Sequence, residues 1–127
     1  MQSITKTSAL RVLLAALLGA SLFPALPAAH SKLIRSSPAT DAILETPPAE
    51  LQLWFSEEPL LLMSAVTLAG PHGAVKLEAL RAGGERSLVV RVGTTLEPGA
   101  YRLAWKTAGD DGHVIQGIVN FSIKPAK

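Results

Sequence analysis

The 127-residue chain contains three histidines, and two of them, His30 and His113, stand where a metal ion can use them. His113 closes an Asp-x-His element, Asp111-Gly112-His113, within GDDGHVIQG and just ahead of an expected strand. On a locally extended backbone, residues two apart project to the same side, so the carboxylate and the imidazole would face one point. Alone, that pair reads equally well as a structural hydrogen bond. His30 tips the reading toward a metal, because it directly follows PALPAA at the end of a run with the pattern of an export signal. Cleavage after Ala29 would make His30 the first residue of the exported chain. A free α-amine titrates near pH 8 and coordinates once a strong Lewis acid competes for its proton. Amine and imidazole Nδ1 of one residue then close a chelate ring.

The His30 amine, the His30 imidazole and the His113 imidazole make three nitrogens, and an Asp111 oxygen or a water completes a tetragonal sphere. Such a set suits Cu(II). Zinc takes similar donors but prefers a tetrahedron, and the Irving–Williams order gives copper the higher affinity at a common site. One Cu(II) ion is therefore the expected cofactor. Glu57, in FSEEP at a strand end, reads as a further donor, as a neighbour accepting a proton from the amine or a bound water, or, like Glu58, as a solvated strand end. The predicted metal set is His30, Asp111, His113 and Glu57, with no catalytic residues. Asp110 should point away and add only negative potential. His72 in GPHG reads as a turn residue, and Met63, beside three leucines, as packing.

Residues 1–29 divide as an export signal does: Lys6 and Arg11 carry positive charge, residues 12–23 are almost wholly apolar, and a small-residue end follows. A membrane anchor needs about 20 apolar residues, and Pro24 and Pro27 interrupt this run. Pro27 also occupies a position where a small Ala-like residue is preferred, so neighbouring bonds compete with the Ala29–His30 bond as the cut. The expectation is a signal peptide over 1–29 and one exported domain over 30–127. The formal net charge is +2, and Lys6 and Arg11 account for it. Arg81, Arg86, Arg91 and Arg102 are scattered, which gives no basic stripe for nucleic acid. Cysteine is absent, which excludes thiol catalysis, iron–sulfur ligation and cysteine-ligated blue copper.

The elements that must position these donors read as short strands between Pro, Gly and charged turns, with no sustained helical stripe. An edge strand is expected over 32–36, then a long proline-bearing connection over 36–50. Strand 50–55 puts Leu51, Leu53 and Phe55 on one face, and strand 64–68 puts Val66 and Leu68 on one face. Strands 75–80 and 88–92 flank AGGER, whose paired glycines suit a tight hairpin. Strand 100–106 aligns Tyr101, Leu103 and Trp105, and the closing strand turns Val119, Phe121 and Ile123 inward. About seven strands predict an all-β fold, a Greek-key barrel or an immunoglobulin-like sandwich, with a mostly aliphatic core.

HSKLIRSSPA, LWFSEEP and above all PGAYRLAWKTAGDDGHVIQGIVNFSI resemble the CopC family of periplasmic copper-binding proteins across essentially all of the expected domain. The resemblance implies the same β fold and Cu(II) held by the first histidine's amine and imidazole and by the Asp-x-His pair. In some members a Glu after Phe-Ser lies nearby. The matching positions are His30, Asp111, His113 and Glu57. It also implies a periplasmic location and copper homeostasis, sequestration or delivery, with an inner-membrane copper importer as partner; the expectation is a binding protein rather than an enzyme, because Asp111 and Glu57 would crowd the positions that oxygen chemistry needs open. Some relatives carry a second, methionine-built Cu(I) site, whereas the corresponding stretch here has only Met63 and His72. Two other readings compete. A copper histidine-brace oxidase or monooxygenase would show peroxide-dependent turnover. A sandwich domain that binds another protein, with incidental histidines, would keep its partner in chelator and show no preference for Cu(II).

Overall fold

The computed structural model describes residues 30–127; the expected signal segment and its cut lie outside the described residues. Nine strands form two sheets: β1 (Leu33–Ser37), β2 (Ala42–Leu44), β3 (Glu50–Phe55), β4 (Ala65–Gly70), β5 (Gly73–Val75), β6 (Arg81–Gly84), β7 (Ser87–Arg91), β8 (Gly99–Ala108) and β9 (Val114–Ile123). The four-stranded sheet runs β1-β3-β7-β6 and the five-stranded sheet β2-β9-β8-β4-β5. The fold is all-β, as the turn-punctuated alternation predicts, and two separate sheets make it a sandwich.

The alternating positions meet in the core. Leu51, Leu53, Phe55, Leu88 and Val90 from the four-stranded sheet face Tyr101, Leu103, Trp105, Val119, Phe121 and Ile123 from the other, all buried. Phe55 meets Trp105 edge-on with centroids 5.3 Å apart, and Tyr101 stacks on Phe121 at 5.2 Å. These contacts lock the sheets by shape as well as by area.

Three local expectations are corrected. The connection over 36–50 contains β2, which pairs in parallel with the end of β9 through Ala42–Phe121 and Leu44–Ile123. No strand covers 75–80: β5 ends at Val75, Leu77 makes one bridge to Val92, and the strand before the hairpin is β6. The chain changes sheets there, since β5 pairs with β4 but β6 pairs with β7. Gly83 and Gly84 end β6 rather than turn the hairpin. Its two-residue loop is Glu85 and Arg86, with φ of 50° and 59°, the positive pair that a type I′ turn requires.

Candidate metal centre

One pole of the sandwich gathers segments from both sheets. Residues 109–113 join β8 to β9, His30 leads into β1, and Glu57 follows β3. Two sets of hydrogen bonds hold the segments together. Ser56 N–H donates to Lys32 O at 2.9 Å and Lys32 N–H donates to Ser56 Oγ at 2.9 Å, fastening the N-terminal strand to the end of β3. Leu60 N–H donates to Ala108 O at 2.9 Å, fastening the segment after Glu57 to the end of β8.

His30, Asp111 and His113 each offer one ligand atom, and these atoms all lie within 4.8 Å of one another. Metal–nitrogen bonds of about 2 Å place opposite donors about 4 Å apart, so a small contraction lets one ion bridge all three. His113 Nδ1 lies 2.8 Å from Asp111 Oδ2, and His30 Nδ1 lies 3.9 Å from the same oxygen. The two imidazole centroids are 5.6 Å apart with their planes perpendicular. Hydrogen bonds from the His113 side chain and backbone, with the charges of His113 and His30 adding, hold the Asp111 carboxyl below the usual carboxylate range. The carboxylate therefore stays available to a cation into acid.

The convergence comes about differently from the extended backbone expected of Asp-x-His. Residues 110 and 111 form a turn, closed by Gly112 N–H donating to Gly109 O at 2.9 Å. Gly112 takes φ +74°, left-handed backbone that suits glycine, and His113 N–H donates to Asp111 Oδ1 at 3.0 Å. An aspartate bonding the backbone two residues on is a turn device. It aims both side chains at one place without a strand.

Glu57 stays outside the group of three, although its carboxylate is close by. A methyl group on Gly109 would overlap Glu57 Oε2 and would come within 3.3 Å of Ser31 Cβ. The carboxylate thus fills the space that Gly109 leaves open, next to the residue that follows His30. Ser31, which the sequence reading passed over, is 6% exposed, and its buried Oγ has no hydrogen-bond partner among the described residues. A glycine directly before paired aspartates was the only sequence signal for this packing. Asp110 is exposed and outside the group. His72 lies at an exposed turn, with Nε2 2.9 Å from Glu97 Oε2. Met63, expected to pack, is 41% exposed, because its turn lies on the rim of β8 and not between the sheets.

The model of the CopC domain matches residues 33–124. Copper resistance protein C of Xanthomonas campestris pv. juglandis is 33% identical over 85% of this chain and 91% of its own length. Copper transport protein CutJ of Bacillus subtilis is 25% identical over 77% of this chain but only 19% of its own length. Among solved structures, PcoC of Escherichia coli, described as a methionine-rich copper resistance protein, is similar with a TM-score of 0.69 and 29% identity, over 76% of this chain and all of the other. This chain, by contrast, has two methionines, Met1 and Met63. A domain model spanning nearly all of the described residues, relatives matched along most of their length and a common sandwich all lead to one assignment: the chain belongs to the CopC family.

Proposed function

We propose that this chain is a periplasmic Cu(II)-binding protein that serves copper homeostasis by sequestering copper or delivering it to a membrane copper importer, without catalytic activity of its own. Family membership and the copper resistance and copper transport proteins among its relatives support the coarser statement, that the function concerns copper. The observation that carries the finer reading is the clustering of His30, Asp111 and His113 ligand atoms within 4.8 Å at a solvent-open pole.

In this reading His30 and His113 supply imidazole nitrogens and Asp111 an oxygen. Export and cleavage after Ala29 add the His30 amine as a further nitrogen. Nitrogen and oxygen donors suit the cupric ion. Glu57 takes the nearby role among those expected of it, its carboxylate lying beside Ser31 and able to accept a proton from the amine.

Two measurements test the reading: the mass of the exported protein, then a Cu(II) titration against a chelator of known affinity. The expected result is a chain starting at His30 that retains one Cu(II) and shows no peroxide-dependent turnover. A chain starting elsewhere, or one that surrenders Cu(II) to a modest competitor, overturns it.

A further inference from the structure

We propose that Ser31 is a positioning residue of the metal centre: in the copper-loaded protein its buried hydroxyl donates to the Glu57 carboxylate and fixes that group beside the His30 donors. The inference rests on the copper-binding reading above and adds to it the residue that holds Glu57 in place.

Three hydroxyl side chains are buried among the described residues, those of Ser31, Ser87 and Thr107. Two of them are bonded. Ser87 Oγ donates to Gly84 O at 2.6 Å and accepts from Gln52 Nε2 at 2.9 Å, and Thr107 Oγ1 lies 2.6 Å from Ser64 Oγ. Ser31 Oγ alone of the three has no partner among the described residues, although Ser31 is only 6% exposed. A buried hydroxyl left unbonded destabilises a fold, so its retention needs a reason other than folding.

The acceptor this donor needs stands beside it. A methyl group on Gly109 would come within 3.3 Å of Ser31 Cβ and would overlap Glu57 Oε2, so the Ser31 side chain and the carboxylate border one small space that glycine leaves open. The backbone fixes them as neighbours. Lys32 N–H donates to Ser56 Oγ and Ser56 N–H donates to Lys32 O, each at 2.9 Å, which ties the residue after Ser31 to the residue before Glu57. Glu57 is half-buried, and its carboxylate has no ion-pair partner within 4.0 Å among the described residues. A carboxylate without a cation and a hydroxyl without an acceptor complement each other, and the hydroxyl reaches its staggered positions by turning about one bond. A hydroxyl–carboxylate bond is charge-assisted, short and strong. Since Ser31 is joined directly to His30, fixing Glu57 against Ser31 also fixes the carboxylate beside the His30 donors. Groups that hold the surroundings of metal ligands in this way contribute about tenfold or more to affinity.

The test is a double-mutant cycle in the exported chain over Ser31→Ala, Glu57→Ala and the two combined. Cu(II) affinity is read by chelator competition, and urea unfolding of the metal-free protein is read alongside. Wild type is titrated first: if it fails to retain Cu(II), the binding reading falls and this proposal with it, whereas every later outcome bears on the proposal alone. The expected result is that Ser31→Ala weakens Cu(II) about tenfold while the urea midpoint stays the same or rises, because alanine removes no bond on which the fold depends. Once Glu57 is alanine, Ser31→Ala should change affinity by less than about twofold, the mark of two residues acting as one. Unchanged affinity in Ser31→Ala overturns the proposal, as does unchanged affinity in Glu57→Ala. So does a lower urea midpoint with full affinity, which would make Ser31 structural only, or two losses that multiply in the combined variant.

Discussion

Gly112→Ala isolates backbone strain from crowding, because a methyl group there would meet no atom within 4 Å while the residue keeps φ at +74°. Left-handed backbone costs an L-residue about 1–2 kcal/mol. The loop has two ways to bear that cost. If it holds its shape, folding stability falls by the full amount. If it relaxes to negative φ, His113 N–H leaves Asp111 Oδ1 and the strain is met when metal draws the donors together. At about 1.4 kcal/mol per tenfold, the relaxed loop weakens Cu(II) by roughly 5- to 30-fold. Urea unfolding of the metal-free protein and competition titration with Cu(II) read the two shares, whose sum should be about 1–2 kcal/mol. Gly112→Asn should recover much of the loss, since asparagine enters this region more readily than alanine. The reasoning fails if Gly112→Ala matches wild type in both assays, or if Gly112→Asn is impaired as much as Gly112→Ala.

Leu103, fully buried between the sheets, should cost about 2–5 kcal/mol of stability when replaced by alanine, seen as a lower urea midpoint. Cu(II) titration of the folded protein should not change. Tyr101 is the only tyrosine, and burial, followed by the charge of Glu97, raises its pKa against a smaller opposing effect of the Glu97 backbone. As the folded value lies above the unfolded one, this contribution is fully present below about pH 10 and is lost as pH rises through the folded value. Tyrosinate absorbance should therefore appear at higher pH in native protein than in urea. For the proposed chain starting at His30, one extra residue ahead of it should weaken Cu(II) strongly by turning an amine into an amide, as should His113→Ala by removing a nitrogen. His72→Ala, at a turn outside the cluster, should leave the same chelator titration nearly unchanged.

The fold was legible wherever alternation ran long enough to specify a face. Residues 51, 53 and 55, residues 101, 103 and 105, and residues 119, 121 and 123 all turn into the core. It was illegible where strands are too short to alternate. β2 and β5 each have three residues, and β2 exists because β9 offers its edge. The hairpin at Glu85 and Arg86 was obscured for another reason: the two preceding glycines outscore it as turn formers, yet they belong to β6. At the candidate site, donor chemistry picked out His30, Asp111 and His113, which the structure brings together. It did not show that a turn, not an extended strand, aims the Asp-x-His pair, or that Glu57 packs against Gly109. Met63, beside three leucines, read as packing, and only the position of its turn outside the sandwich reveals that Leu61, Leu62 and Met63 are exposed.

The pole combines features that pull against each other in most metal sites. Its donors are open, with side-chain exposure of 66% for His30 and 70% for His113, while the backbone behind them is tied by the Ser56–Lys32 and Leu60–Ala108 bonds. A rigid back keeps the cost of assembling the donors low, which favours binding. An open front leaves a competing ligand free to approach before any protein donor departs, which favours exchange. A buried cage would retain the ion more firmly at the cost of that approach. With no cysteine in the chain and a single thioether, Met63, among the described residues, the donor set is hard to borderline throughout. For the proposed ligands, the same physical choice that favours the cupric ion also leaves it within reach of another protein.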